Sequence, residues 1–184
     1  MLAIPESISN DGRIALVPVE PGHAERLYQA IVESTREFAR WMEWFHPGYQ
    51  IEETRRWIAT RRSAWEEGSD YAFIILEKGT ANVLGGGSVG VTSPLHRIGT
   101  IGYWIRSSRT KQGFASEAAG LLARFGFSHL GLIRIEIVVA VGNTASIRVA
   151  EKAGAFKEGR LRNRLLLRGK PKDAYLFSLI PTDL

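Results

Sequence analysis

The spacing of apolar residues along the chain predicts an N-terminal strand followed by two helices. Residues 13–19 alternate between apolar and polar positions, as a half-buried strand does. Pro21 is typical of a first helical turn. An apolar stripe follows it at helical spacing, at Ala24, Leu27, Tyr28 and Ile31. A second helix is predicted over residues 51–67. Its apolar positions repeat every seven residues, at Ile51, Ile58 and Trp65.

The rest of the chain alternates between strands and helices. Strands are predicted over residues 71–77, 83–91, 98–105 and 133–141, helices over 115–130 and 143–153, and a closing hairpin over 157–167 and 173–180. Three glycines from Gly85 to Gly87 indicate a bulge or a close backbone approach. This order predicts a mixed α/β sheet of about seven strands with helices on both faces. We find no repeat or linker, so we expect one domain over residues 1–184.

Composition and charge narrow the class of protein. The chain has 184 residues, 45% of them hydrophobic and 23% charged, as in folded globular proteins. It contains no cysteine, which excludes disulfides, thiolate metal ligands and a cysteine nucleophile, and we predict no metal site. No apolar run is long enough to span a bilayer, and Met1 to Gly12 lacks the features of a signal peptide. We therefore expect a cytoplasmic protein.

A polar turn before the predicted helix at residue 115 has the features of an anion site. Free N–H groups and the helix dipole attract anions at a helix N-terminus. Gly113 allows a phosphate to approach the backbone closely, and Arg109 and Lys111 can add charged contacts. An ordinary strand-to-helix turn explains the same residues when they are considered alone.

A second motif follows the predicted strand at residues 133–141. Asn143 is a favourable N-cap, whose side chain can accept a hydrogen bond from the N–H of Ser146. Gly154 is a favourable residue to end the same helix. Taken alone, this segment is fully explained as a capped helix.

Together, the two motifs resemble the GNAT superfamily of acetyltransferases. Tyr103-Trp104-Ile105 and the run from Gln112 to Ala118 are similar to its acetyl-CoA motif. The pattern Asn-x-x-Ser from Asn143, followed by Glu-Lys-x-Gly, is similar to the branch that acetylates the N-terminal amines of ribosomal proteins. The chain departs from the family pattern at two positions: Thr110 replaces the usual Gln or Arg, and Lys111 replaces a common Gly.

The resemblance implies a twisted sheet that splays between its fourth and fifth strands to admit acetyl-CoA. It places the cofactor against residues of the turn, the strand before it and the second motif: Trp104, Ile105, Arg106, Thr110, Lys111, Gln112, Gly113, Phe114, Ala115, Asn143 and Ser146.

The reaction implied is direct attack of a neutral amine on the acetyl thioester. Many members of the superfamily protonate the leaving thiolate with a tyrosine, but that position is Ala150 here. The branch that the chain resembles is proposed to use the serine of Asn-x-x-Ser, so we predict that Ser146 is the catalytic residue. The general base stays open among four candidates: Glu43, His46, His96 and Glu136.

Aromatic residues mark the predicted acceptor site. They lie between the first two predicted helices, a segment that lines the acceptor cleft in the family that the chain resembles. We therefore assign Trp41, Trp44 and His46 to substrate binding, where aromatic walls can hold an amine. The acceptor is a peptide N-terminus or a small amine such as an antibiotic or polyamine, and a non-catalytic acyl-CoA-binding module is the alternative. A homodimer is compatible with the sequence.

The net charge of +5 does not by itself identify a partner. Arg160, Arg162 and Arg164 alternate and are predicted to share one strand face, either solvated or facing an acidic partner. Basic residues are otherwise scattered and no nucleic-acid-binding motif is present, so we expect contact with nucleic acid only through a ribosomal protein.

Overall fold

The structure is a computed structural model that describes residues 4–80 and 82–184. The first three residues of the segment from Met1 to Gly12, for which no signal peptide was predicted, lie outside this range. No helix in the described part of the chain has both the length and the apolar character to cross a membrane.

One mixed sheet of eight strands runs through the described residues in the order β1-β2-β3-β4-β5-β6-β8-β7. The strands are β1 (Ile8–Ser9), β2 (Ile14–Pro18), β3 (Asp70–Glu77), β4 (Val83–Ser93), β5 (Ile98–Ile105), β6 (Arg134–Ala140), β7 (Phe156–Leu167) and β8 (Lys170–Leu179). Neighbouring strands are antiparallel except β5 and β6, which are parallel. The mixed α/β fold is confirmed, with one strand more than the seven expected.

The helices cover both faces of this sheet. They are α1 (Ala24–Glu33), α2 (Thr35–Trp41), α3 (Ile51–Ala59), α4 (Arg61–Glu66), α5 (Phe114–Ser128) and α6 (Thr144–Lys152). One face packs α4, α5 and α6 in a cluster around Phe73 and Phe125. The other packs α1, α2 and α3 in a cluster around Phe38 and Ile74. Because Phe73 and Ile74 are adjacent in β3, their side chains necessarily serve opposite faces.

The sheet opens between β5 and β6. These strands pair only over Ile98–Thr100 and Arg134–Glu136, so the later residues of β5 continue beside β4 alone. β6 continues instead beside β8, as far as Ala140. The predicted splay is therefore present, because these are the fourth and fifth strands of the sequence analysis.

Several boundaries differ from the predictions. The two-residue strand β1 was missed, because two residues carry no alternation. The closing hairpin turns at Arg168 and Gly169, so β8 begins three residues earlier than expected. β7 has a register shift between Leu161 and Leu165, where Asn163 has a positive φ of 48°. This irregularity interrupts the alternation predicted for Arg160, Arg162 and Arg164.

The prediction of a single helix over residues 51–67 was wrong, because this segment forms two helices. α3 ends at Ala59 and α4 begins at Arg61. At the junction, Thr60 donates both its N–H and its hydroxyl to the carbonyl of Trp57, at 3.1 and 2.8 Å. A side chain that bonds to the preceding turn competes with the regular helical ladder. The break lets Ile58 and Trp65 join different core clusters.

The predictions also missed α2. The short helix follows Ser34, a buried residue whose hydroxyl donates to the carbonyl of Ala30 at 2.7 Å. Phe38 is its one fully buried residue, and a single apolar position gives no periodic pattern. Trp41, which the sequence placed between the first two predicted helices, is the last residue of α2.

Candidate active site

A cavity of about 710 Å³ occupies the opening of the sheet. Its walls include Ile101 to Trp104 of β5 and Ile137 to Ala140 of β6, the segments that separate from each other. Gly85 lies close to it, where β4 and β5 approach tightly: a Cβ at Gly85 would stand 2.0 Å from the carbonyl oxygen of Trp104. The close approach predicted for the glycine run is therefore present.

The first residues of the second motif line this cavity. Asn143 caps α6, and its Oδ1 accepts the N–H of Ser146 at 3.2 Å, as predicted. Asn143, Ser146 and Trp104 line the same cavity. The phenol of Tyr103 lies 3.4 Å from Oγ of Ser146 and donates to its carbonyl at 3.5 Å. Burial raises the pKa of Tyr103 to about 12, so the phenol stays protonated and can act as a donor to Ser146.

The predicted phosphate turn forms the N-terminus of α5. Gly113 is its N-cap, with a φ of +88° that a residue with a Cβ rarely adopts. The first N–H to bond back along the chain is that of Glu117, to the carbonyl of Gly113. The N–H groups of Phe114, Ala115 and Ser116 precede it and are free to bind an anion.

The start of this turn is bound to α1. Glu33 pairs with the guanidinium of Arg106 and accepts the N–H of Ser108 at 2.8 Å. Ser34 accepts the N–H of Ser107 at 3.1 Å. The Arg106 guanidinium, with the Ser108 contact, lowers the pKa of Glu33 to about 2. Arg106 is thus committed to holding the turn in place, and its side chain is not free for a phosphate.

We expect Glu33 to make the protein sensitive to acid. Because folding lowers the pKa of Glu33, the stabilisation is present above its unfolded pKa, about 4.3, and is lost as the pH falls towards 2. In Glu33→Gln the melting temperature should be lower at neutral pH and should fall less than that of the wild type on acidification. Thermal unfolding at a series of pH values measures this. Parallel pH curves for the two proteins would contradict it.

The side chains of the other turn residues differ in whether they are available to a ligand. The hydroxyl of Thr110 donates to the carbonyl of Ser107 at 2.9 Å, so it supports the turn itself. Gln112 approaches the carbonyl of Ser108 at 3.5 Å. Lys111 has a φ of +62°, a left-handed conformation that glycine adopts more readily than a residue with a Cβ. Its side chain is exposed, and no group in the described part of the chain forms an ion pair with it.

Two arginines brace the turn from behind. Arg109, which the sequence offered as a phosphate ligand, pairs instead with Glu77 and lies over the ring of Phe114. Arg13 lies over the same ring at 4.4 Å and donates to the carbonyl of Gln112 at 2.7 Å. Arg13 was not predicted to lie at this turn, because nothing local shows that residues 99 positions apart meet.

The predicted acceptor residues divide into two groups. Trp41 and Trp44 line the cavity, together with Tyr49 and Trp57. Trp44 is 47% exposed and Trp57 is 40% exposed, so both form an accessible rim. His46 is absent from the described cavity lining: its ring bonds to Glu53 at 2.8 Å and to the carbonyl of Pro47 at 3.0 Å. These bonds, that of Pro47 first, raise the pKa of His46.

Of the four base candidates, Glu43 is the one that lines the cavity. Its carboxylate accepts the backbone N–H of Arg168 at 2.7 Å. Glu136 pairs with Arg134 at 3.0 Å, and His96 lies in the exposed loop after β4. Two cavity carboxylates were not predicted, and each has a cationic or titratable partner. They are Glu53, paired with His46, and Asp70, paired with Arg61 at 2.8 Å.

The sheet opening, the free N–H groups at the start of α5 and the cavity of about 710 Å³ together suit an enzyme that binds a long anionic donor beside an acceptor. The sequence profile described as acetyltransferase (GNAT) domain matches residues 13–155. The chain therefore belongs to the GNAT acetyltransferase family, and its reaction is N-acetyl transfer from acetyl-CoA.

Relatives agree with this assignment. An uncharacterized N-acetyltransferase, YoaA of Bacillus subtilis (strain 168), is 34% identical over 130 residues, which cover 71% of this chain and 73% of that protein. The ribosomal-protein-serine acetyltransferase of Escherichia coli (strain K12) is 26% identical over 175 residues, covering 95% and 97%. The structure of Mycobacterium smegmatis RimJ in complex with CoA-disulfide is similar with a TM-score of 0.85 at 25% identity, covering 98% and 90%.

The residues present fit acetyl-CoA. The N–H groups at the start of α5 suit a pyrophosphate. The unpaired edge of β5 offers backbone groups to an amide-containing arm. The cavity at Ser146 leaves room for an acetyl group and an amine. We find no such combination elsewhere in the described residues.

Proposed function

We propose that this acetyltransferase acts on a protein N-terminal α-amine in the cytoplasm. The observation that carries the proposal is the cavity itself, which joins Ser146 at the sheet opening to an aromatic rim of Trp41, Trp44 and Trp57. Supporting it, the relative from Escherichia coli that aligns over most of this chain is named as a ribosomal-protein-serine acetyltransferase.

Different residues of the cavity wall are proposed to handle the two proton transfers of the reaction. The amine attacks the acetyl carbonyl carbon, the C–S bond breaks, and the amine must lose a proton while the thiolate gains one. We propose that Ser146 supplies the hydrogen bond or proton to the thiolate, and that the Tyr103 phenol then turns its single hydrogen from the Ser146 carbonyl to Oγ, 3.4 Å away. Glu43 is the proposed proton acceptor, because its carboxylate is held by a neutral backbone N–H rather than by a cation.

The donor side relies on the main chain. We propose that the free N–H groups of Phe114, Ala115 and Ser116, after the N-cap Gly113, bind the pyrophosphate, with Lys111 as the free charge beside them. Trp104 and Ile105 would pair through their backbone with the donor arm, whereas the N–H of Arg106 already donates to the carbonyl of Leu84 at 2.7 Å. Asn143 would hold α6 so that Ser146 faces the cavity. Thr110, Gln112 and Phe114 would shape the turn.

A small amine is the second candidate. The cavity volume of about 710 Å³ lies in the range of small-molecule sites, about 300–1,000 Å³. Three carboxylates on its wall, Glu43, Glu53 and Asp70, suit a compact cation. A polyamine or an amino-sugar antibiotic has this chemistry.

An acceptor screen separates the candidates. Purified protein is incubated with acetyl-CoA and peptides that begin with a free Ser or Ala. Free thiol and the mass of the product are measured. We expect release of CoA together with a gain of one acetyl group at the peptide N-terminus. The matched controls are the same peptides with a blocked N-terminus and an internal lysine.

Each other outcome has a definite meaning. Transfer to spermidine or an aminoglycoside, with none to the peptides, would replace the first proposal by the second. No transfer to any amine, together with a rise in melting temperature on adding acetyl-CoA, would indicate a non-catalytic binding module.

A further inference from the structure

The turn between β7 and β8 has an unusual residue at its first position. Arg168 and Gly169 have φ values of +54° and +70°, the pattern of a two-residue hairpin turn in which both residues are left-handed. Asn, Asp and Gly are the residues that favour this conformation, and a non-glycine residue with a positive φ is uncommon. An arginine at this position therefore calls for a role beyond turning the chain.

The guanidinium of Arg168 binds a cluster of backbone carbonyls at the end of α2 and in the loop after it. Its contacts are with Phe45 at 2.6 Å, Ala39 at 2.9 and 3.1 Å, Met42 at 3.2 Å and Phe38 at 3.3 Å. The last carbonyls of a helix lack partners within the helix, and the helix dipole makes them attractive to a cation. Arg168 donates hydrogen bonds to these carbonyls, although they lie 123 to 130 positions earlier in the sequence.

The same residue holds a carboxylate of the cavity. The backbone N–H of Arg168 donates to Oε2 of Glu43 at 2.7 Å. Glu43 lies between the carbonyls that the guanidinium binds, in the loop that also carries Trp44. The side chain and the backbone of Arg168 thus fix two different parts of one loop.

These contacts join two walls of the acceptor cavity. One wall carries Trp41 to Trp44, from the end of α2 and its loop. The other carries Leu165 to Leu167, the residues that lead directly into Arg168. Without the contacts of Arg168, the hairpin end and the aromatic loop would be free to separate on this side of the cavity.

We propose that Arg168 is a positioning residue that sets the width of the acceptor cavity and thereby its preference among amines. This inference rests on the proposed function, since it takes the cavity to be the acceptor site. Lysine cannot replace it, because an ammonium group is a single point with three donors, whereas the guanidinium fork spreads five donors over several carbonyls.

The experiment compares Arg168→Ala and Arg168→Lys with the wild type. Arg164→Ala is the matched control, since it removes an exposed arginine from β7, the strand that leads into the turn. Hydrogen exchange at residues 38–45, the acceptor KM and the acetyl-CoA KM are measured. We expect faster exchange at residues 38–45 and an acceptor KM raised about tenfold or more in both variants. The acetyl-CoA KM and the control should stay at wild-type values.

The outcomes keep this inference apart from the proposed function. If the wild type acetylates no amine, the proposed function fails, and exchange at residues 38–45 alone decides the role of Arg168. Unchanged exchange there, or an unchanged acceptor KM in both variants, would overturn the inference. If Arg168→Ala does not fold, the inference is decided by Arg168→Lys, which keeps the positive charge but lacks the guanidinium fork. A parallel rise in both KM values would mean that Arg168 supports the fold in general rather than the acceptor wall, and would overturn it too.

Discussion

Replacing Ser146 with alanine is expected to lower kcat for acetyl transfer by about 100-fold or more, the range for losing a group that handles a proton in the transition state. The acetyl-CoA dissociation constant should stay near that of the wild type. The helix itself should survive, because the N–H that Asn143 caps belongs to the backbone of residue 146 and is retained. Initial rates and calorimetric titration with acetyl-CoA measure the two quantities.

Ser128→Ala is the matched control for this prediction. Ser128 also lies in a helix and donates to the preceding turn, at the carbonyl of Arg124, but at the exposed end of α5 away from the cavity. Its removal should leave kcat unchanged. A Ser146→Ala protein with wild-type kcat would remove the proposed role of Ser146 and leave thiolate protonation to Tyr103 or to solvent.

Replacing Gly113 with valine should weaken acetyl-CoA binding about tenfold or more, as expected when a charge-assisted hydrogen bond is lost. At a φ of +88°, a β-branched residue is strained, and the left-handed conformation alone costs about 1–2 kcal/mol. A Cβ there would also stand 3.3 Å from the guanidinium of Arg13, which holds the turn at Gln112. Both effects displace the N–H groups that face the phosphates. Titration with acetyl-CoA and denaturant unfolding give the two values.

Gly120→Ala provides the contrast within the same helix. A Cβ at Gly120 would meet no atom of another element within 4 Å, so alanine should be tolerated. Alanine in a helix is expected to be more stable than glycine by about 0.5–1 kcal/mol. If Gly113→Val bound acetyl-CoA as tightly as Gly120→Ala, the turn at the start of α5 would not be the phosphate site.

The sequence predicted the parts of the molecule in which local chemistry decides the structure. Asn143 caps α6 because its side chain reaches an N–H three residues away, and that spacing is visible in the chain. Gly113 stands at a left-handed position because few other residues are stable there. The mixed sheet followed from the order of strands and helices, whereas the splay between β5 and β6 and the placement of Trp104 and Ser146 at one site were implied by the resemblance to the GNAT superfamily.

What the sequence could not predict depends on contacts between distant segments. Arg13 reaches Gln112 and Arg168 reaches the end of α2 only after the sheet has formed. Arg109 was predicted to offer its charge to a phosphate, but Glu77 neutralises it from another element, as Glu33 neutralises Arg106. Helix α2 and the break at Thr60 were missed because each depends on one or two side-chain hydrogen bonds rather than on periodicity.

We propose that acetyl-CoA lies along the opening between β5 and β6, with its phosphates at Gly113 and its thioester at Ser146. Amide chemical shifts of the isotope-labelled protein, followed during titration with acetyl-CoA, test this most directly. We expect the largest shifts to fall on Lys111 to Ser116, on Tyr103 to Ile105 and on Asn143 to Ser146. Shifts confined to the β7–β8 hairpin or to the α1 and α3 surface, with these three segments unmoved, would contradict it.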